Sequence, residues 1–234
     1  MSVRAMGKRL ETVSEEIRAR GPFTCLCDIG SDHAYLPIRA LLNGDAASAV
    51  AADLREGPLE RGRANAEKAG VSPVFVLSDG FDGLDGFSFD AVSVCGLGGE
   101  TVADILERGK AFVRKKDCLL FLQPMTAHDD LRKALWETGF SILGETFPVE
   151  SGRPYVLITA RFTGEREPYG YEDLFLGKIR PDTPGFRAYA AKVRAQTEKR
   201  MRGRFRTNDD WRLLKLAETL SQDPEKTRGK ESEA

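Results

Sequence analysis

Asp28-Ile29-Gly30-Ser31-Asp32-His33-Ala34-Tyr35 gathers two carboxylates, one glycine and one imidazole in a short stretch between an apolar run and a helical pattern. Doubly wound sheets bind nucleotides at such a place, outside the carboxyl ends of their strands. A dinucleotide turn needs three glycines so that backbone amides can approach a pyrophosphate. Only Gly30 is present, with Asp32 and Ala34 where further glycines would stand. Carboxylates at Asp28 and Asp32 repel a pyrophosphate and attract an ammonium group. S-adenosylmethionine offers an ammonium and a sulfonium and no phosphate, so the whole loop favours it. Asp32 taken alone reads equally well as the N-cap of the following helix.

Asp53 ends the second apolar run at the spacing where an acid grips ribose hydroxyls, although a strand-ending Asp is more often a turn residue. Asp79-Gly80 follows the third run, where a side chain can meet an adenine edge; Asp-Gly is also a common turn. Gly96-Leu97-Gly98-Gly99 follows the fourth run and allows close backbone approach to a ligand. No Lys-Ser or Lys-Thr pair follows it, which excludes a P-loop. The expected cofactor contacts are Asp28, Gly30, Asp32, His33, Asp53, Asp79, Gly80, Cys95 and Gly96. His33 reads almost as readily as a plain helix-start residue.

These loops need a frame. Met6, Leu10, Val13 and Ile17 recur at helical spacing over residues 5–20, and Phe23–Ile29 is a short apolar run. A helix through Leu42, a strand over Ala46–Ala52 and a helix over Leu59–Ala69 follow. Strands are predicted at Val74–Leu77, Phe89–Val94 and Cys118–Leu122, with helices after Gly99 and over His128–Thr138. Continuous rather than alternating hydrophobicity suits a parallel sheet covered on both faces. Ser141–Pro148 and Tyr155–Phe162 flank Glu150-Ser151-Gly152-Arg153, a hairpin turn. The fold class is α/β, a Rossmann-like doubly wound sheet with an antiparallel C-terminal hairpin, an arrangement that resembles the class I methyltransferase fold. Past Gly164, Phe186–Arg202 and Asp209–Ser221 form an antiparallel helical pair. The expected domains are residues 1–163 for the cofactor, 164–222 for the helical hairpin and 223–234 as a disordered tail.

The 234 residues carry 35 basic and 36 acidic side chains, a formal charge of −1, so bulk charge does not advertise a nucleic-acid partner. The local signal is Arg180–Arg206, where nine Lys or Arg face only Asp182 and Glu198. Such a run is ordinarily a solvated face; its functional reading is a phosphate-backbone surface, with Lys199, Arg200, Arg202 and Arg204 clustered at the hairpin turn. Cys25, Cys27, Cys95 and Cys118 lie in or beside apolar runs, and with only His33 and His128 no zinc spacing arises. Free core cysteines in a reducing cytoplasm, and no metal, are expected. No apolar run approaches a membrane span, so the protein is expected to be cytoplasmic and off the membrane, with a monomer the default.

Ser31-Asp32-His33-Ala34-Tyr35-Leu36-Pro37, Gly57-Pro58, Gly96-x-Gly98-Gly99 and Leu122-Gln123-Pro124 occur in one order. Together they resemble the bacterial TrmK family, from Lys8-Arg9-Leu10 to about residue 163. The resemblance implies methyl transfer from S-adenosylmethionine to N1 of adenine 22 in tRNA, and a C-terminal coiled-coil hairpin. It adds Arg9, Gly98, Gly99 and Gln123 as substrate contacts. The chain departs from the family at Asp53 (frequently Glu), Leu97 (frequently Met) and Met125 (usually Asn). Neutral adenine has an in-plane lone pair on N1, and its methylated product is a cation. A carboxylate beside the methyl donor would stabilise that charge, which makes Asp32 the candidate catalytic residue. The chain lacks the Asn-Pro-Pro-Tyr motif of exocyclic-amino methyltransferases. A methyltransferase for a small molecule or a protein, or a non-enzymatic RNA-binding protein, remains the alternative.

Overall fold

The computed structural model describes residues 6–203 and 206–222. Arg204 and the tail expected at 223–234 lie outside them. Helix α1 (Lys8–Arg20) buries Val13 and Ile17 and hands the chain to β1 (Phe23–Ile29), buried at every position but one. Then follow α2 (Tyr35–Asn43), β2 (Ala46–Asp53), α3 (Glu56–Ala69) and β3 (Val74–Leu77). The chain returns to the sheet's middle through β4 (Ala91–Cys95), α4 (Gly99–Arg108), α5 (Lys110–Val113), β5 (Leu119–Gln123) and α6 (His128–Glu137). Helix α3 begins three residues before Leu59, because Pro58 in a first turn forfeits no helical hydrogen bond. Short α5 carried no separate signal in the sequence.

β6 (Phe140–Thr146) and β9 (Leu157–Phe162) pair antiparallel, joined by a small ladder of β7 (Val149–Glu150) and β8 (Arg153–Pro154). Ser151 and Gly152 both take positive φ, 49° and 74°, as the expected tight turn requires. The seven-stranded sheet runs β3-β2-β1-β4-β5-β9-β6; the first four pairings are parallel and the last two antiparallel. The expected sheet is therefore present, with its switch point between β1 and β4. One detail differs. β3 is an edge strand, and its Val74 and Leu77 are 46% and 57% exposed, so an apolar run here does not mean cover on both faces.

One face is packed by α1 and α2, through Val13, Ile17, Leu36, Leu26 and Phe121. The larger cluster on the other face joins Val92, Val94 and Leu122 to Val102 and Leu131, and continues into Leu176, Phe186, Tyr189, Val193 and Leu213. Those last residues belong to α7 (Tyr171–Leu176), α8 (Pro184–Met201) and α9 (Asn208–Ser221). The apolar cluster thus crosses the boundary expected at residue 163. α7 was not read from the sequence, being only six residues long.

A buried ion pair marks the crossing. Arg132 donates through Nε to Glu145 Oε1 at 2.8 Å, and through Nη1 to the carbonyls of Leu174 and Phe175 at 2.8 and 3.1 Å. Both charged side chains are fully buried. Their partners come from α6, β6 and α7, so this pair fastens the helical region to the sheet. Burial pushes the Glu145 carboxyl up while Arg132 opposes it.

Candidate active site

The strand ends deliver a cavity of about 510 Å³, within the range of small-ligand pockets. Arg9, Asp28, Gly30, Asp32, His33, Asp53, Asp79, Gly80, Cys95 and Gly96 all line it. Gly30, Asp32 and Ala34 have φ of 73°, 45° and 56°, so the chain turns sharply outward here before α2 begins. The amides of Gly30 and Ser31 both bond Ala52 O, which ties the loop to β2. No side chain caps α2, whose N-cap is Ala34. The capping role considered for Asp32 is therefore absent.

Asp53 is buried at the end of β2, where Oδ2 accepts the Asp32 amide at 3.1 Å and Oδ1 the Arg55 amide at 3.0 Å. Each oxygen keeps a further lone pair for a vicinal hydroxyl. Asp28 is buried on the cavity floor and accepts hydroxyl hydrogens from Ser31 at 2.7 Å and Ser93 at 2.6 Å. Burial pushes its carboxyl up to about 6, with the Asp53 charge adding and the two hydroxyls opposing. An arriving ammonium would restore the charge on Asp28. Leu54, 65% exposed, and Leu97 and Ile105 supply apolar wall for a purine ring.

Asp32 lies at the mouth with its side chain 53% exposed, bonded to Arg61 Nη2 at 3.0 Å and with His33 Nε2 at 3.6 Å. His33 stacks at a tilt on Tyr35, 5.3 Å between centroids. Asp79 is held below the usual carboxylate range by its hydrogen bond from Arg108 at 2.8 Å. Burial drives the Cys95 thiol up, which disfavours its thiolate. Among the described residues no group of three metal-ligating side chains gathers, and no helix is long and apolar enough to cross a membrane.

Four of the expected substrate contacts have partners or close packing within the chain. Gln123 is fully buried; its Oε1 accepts from the Arg9 guanidinium and its amide donates to Pro124 O at 2.9 Å. It positions Arg9, which lies 5.9 Å over the Tyr155 ring and itself lines the cavity. Gly99 is buried where a Cβ would collide with the Ala127 carbonyl, and Gly98 bridges to Thr126, so both glycines serve loop packing. Arg200 is committed to Asp210 at 2.8 Å and to Tyr171 OH at 3.2 Å. The basic run is further neutralised, since Arg180 pairs with Asp173, Arg187 with Asp182 and Arg194 with Glu198. Lys199 and Arg202 are exposed.

Ser31, Ser93, Arg61 and Arg108 went unread as site residues. Ser93 left a usable signal: a hydroxyl inside an otherwise apolar, fully buried strand needs a partner. Arg61 and Arg108 left none, because long-range ion pairs have no sequence spacing.

Residues 6–158 match the model of a methyltransferase domain family. With the observed strand order and the acid-lined, single-glycine loop, the chain is a class I, S-adenosylmethionine-dependent methyltransferase. It is 34% identical over 165 residues to the tRNA (adenine(22)-N(1))-methyltransferase of Bacillus subtilis, a match spanning 69% of this chain and 67% of that one. The chain belongs to the tRNA (adenine(22)-N(1))-methyltransferase family. A Streptococcus pneumoniae structure with S-adenosyl-L-methionine bound superposes with a TM-score of 0.77 at 26% identity, covering 93% of this chain and all of that one. The crystal structure of the B. subtilis m1A22 tRNA methyltransferase TrmK gives 0.71 at 27% identity, over 93% and 96%.

Proposed function

We propose that this protein methylates N1 of adenine 22 in tRNA, using S-adenosylmethionine. The observation that carries the cofactor half is the pairing of two buried carboxylates, Asp28 and Asp53, around one cavity whose loop offers a single glycine. The substrate half is supported by the activity named for the B. subtilis relative. When bound, the cofactor supplies an electrophilic methyl group. Asp53 would hold the ribose hydroxyls, Asp28 the ammonium, and Leu54, Leu97 and Ile105 the adenine ring.

Adenine N1 forms the new bond to the methyl carbon as the carbon–sulfur bond breaks and its electron pair stays on sulfur. No proton is removed first, and the positive charge moves to the base. Catalysis then rests on alignment and on a negative group near that base. Asp32 fills this role in our reading, with Arg61 fixing its orientation. Arg9, positioned by Gln123, borders the acceptor side near Gly96. Lys199 and Arg202 present the exposed charge for the tRNA backbone. The base reaches the pocket by extrusion from the tRNA fold. Such an enzyme works in the cytoplasm, where tRNA is processed, and we take it to act as a monomer with two domains meeting near residue 163.

The test is incubation with labelled S-adenosylmethionine and unmodified bacterial tRNA, followed by nucleoside mapping. Label on N1-methyladenosine at position 22 is expected. Label confined to protein or small metabolites would overturn the substrate reading.

A further inference from the structure

A second cavity, of about 500 Å³, lies between α8 and the loop joining β5 to α6. Met125, Asp129, Lys192, Gln196, Thr197 and Arg200 are among its walls. The loop is shared with the active site, because the Met125 amide donates to Leu97 O at 2.8 Å and Leu97 lines the cofactor cavity. A ligand held here therefore sits beside the place where the acceptor base must enter.

Three features give its chemistry. Thr197 is 1% exposed and its hydroxyl has no hydrogen-bond partner, although a mid-helix Thr ordinarily bonds the carbonyl four residues back. A buried polar group is normally satisfied, so an unpaired hydroxyl on a residue that lines the cavity is one a ligand there would satisfy. Lys192 is half-buried, and the hydrogen bond it makes among the described residues is a long one of 3.5 Å to Pro154 O. That leaves most of its donor capacity to the cavity. The amino end of α6 also opens on the wall at His128 without a side-chain cap, presenting amide donors and the positive end of the helix dipole. Asp129 is the one carboxylate among the lining residues, and Arg200 is already neutralised by Asp210. Burial pushes His128 down to about 3, with the charges of Arg132 and Lys192 adding to the shift.

We propose that this cavity binds a backbone phosphate of the tRNA, with Lys192 Nζ, the Thr197 hydroxyl and the Gln196 amide as donors. The proposal rests on the tRNA reading above. Phosphate contacts fix register rather than sequence. A phosphate held beside the acceptor pocket would set where the extruded adenosine lies.

The experiment compares Lys192→Met, Lys192→Arg and Thr197→Val with the unaltered enzyme, measuring KM for tRNA at several salt concentrations and calorimetric affinity for S-adenosylmethionine. Lys192→Met should raise the tRNA KM roughly tenfold and lower the salt slope by about one. Cofactor affinity should stay within about twofold, and Lys192→Arg should restore most of the loss. Thr197→Val should weaken tRNA binding while leaving Tm unchanged or higher, because it removes an unpaired buried hydroxyl. Unchanged tRNA KM and slope in both Lys192→Met and Thr197→Val overturn the proposal. So does binding of inorganic phosphate that is lost in Lys192→Met while tRNA KM is unaffected, since the site then takes a free anion. An unaltered enzyme that methylates no tRNA instead fails the functional reading, and that assay is read first.

Discussion

The register of β1 against β4 sets Asp28 opposite Ser93, and the Ser93 hydroxyl donates to Asp28 Oδ1 at 2.6 Å. A carboxylate kept so deep is costly while the cofactor is away. Its pKa is raised from 3.8 to about 6, so the folded protein binds the Asp28 proton more tightly than the unfolded chain does. Stability from this group is present below pH 4 and is lost as pH rises through 6, on the order of 3 kcal/mol at neutral pH. Asp28→Asn should therefore gain stability at pH 7 and little at pH 4, in denaturant titrations at both. The same change should weaken S-adenosylmethionine binding, and the affinity of the unaltered protein should fall as pH drops below about 6. An Asn variant no more stable at pH 7 would contradict this account.

Asp53→Ala should cost roughly 1–3 kcal/mol of cofactor affinity by calorimetry, because ligand hydroxyls then lose their acceptor. It also strips the acceptor from the Asp32 and Arg55 amides. Disorder of the loop should accompany the loss, visible as faster amide exchange at Asp32. NAD should bind more weakly than S-adenosylmethionine in the unaltered protein; the reverse order would refute the pocket assignment.

Asp32→Asn should lower kcat by roughly 10²-fold while moving either substrate affinity much less. Asn keeps the shape and one acceptor but not the charge that favours a cationic product. Since no side chain caps α2, the substitution costs the helix no cap. Normal turnover at saturating cofactor would make Asp32 a binding residue only.

Arg132→Met should destabilise the protein by about 3–5 kcal/mol, because Glu145 is left buried without its partner. The double variant Arg132→Met with Glu145→Met should recover most of the loss in a thermal-unfolding cycle. Additive losses would show that the two side chains act separately. Truncation after residue 164 removes the carbonyls that Arg132 Nη1 uses. The shortened chain should retain cofactor binding only at reduced Tm, and weaken tRNA binding.

The parallel core was legible because β1, β2, β4 and β5 are short apolar runs divided by helical stretches, and Asp28, Asp53 and Asp79 lie at or just past the ends of β1, β2 and β3. Asp28, Asp53 and Asp79 could be placed from that alone. The internal contacts of Gln123 and Gly99 were not legible because a motif records which residues occur together, not whether they face a ligand or each other. The basic run misled in part for a related reason: Asp173 and Asp210, which neutralise Arg180 and Arg200, stand outside its ends or across a helix turn. Buried Arg132 had no local signature, since its partners lie 13 to 57 residues away.

The hydrophobic cluster that runs unbroken from Val92 in the sheet to Leu213 in the last helix has a bearing on target choice. With Arg132 hydrogen-bonded across the junction to the α7 carbonyls and to Tyr189 OH of α8, the contacts favour a fixed arm of α8 and α9 over a swinging one. For the tRNA contact proposed on that arm, the span to the methyl donor would then be a constant of the enzyme, and the target adenine would be set by its distance along the folded RNA. Inserting one base pair between the arm's contact and the target should abolish methylation or move it to a neighbouring adenine, whereas a hinged arm would follow the displaced base.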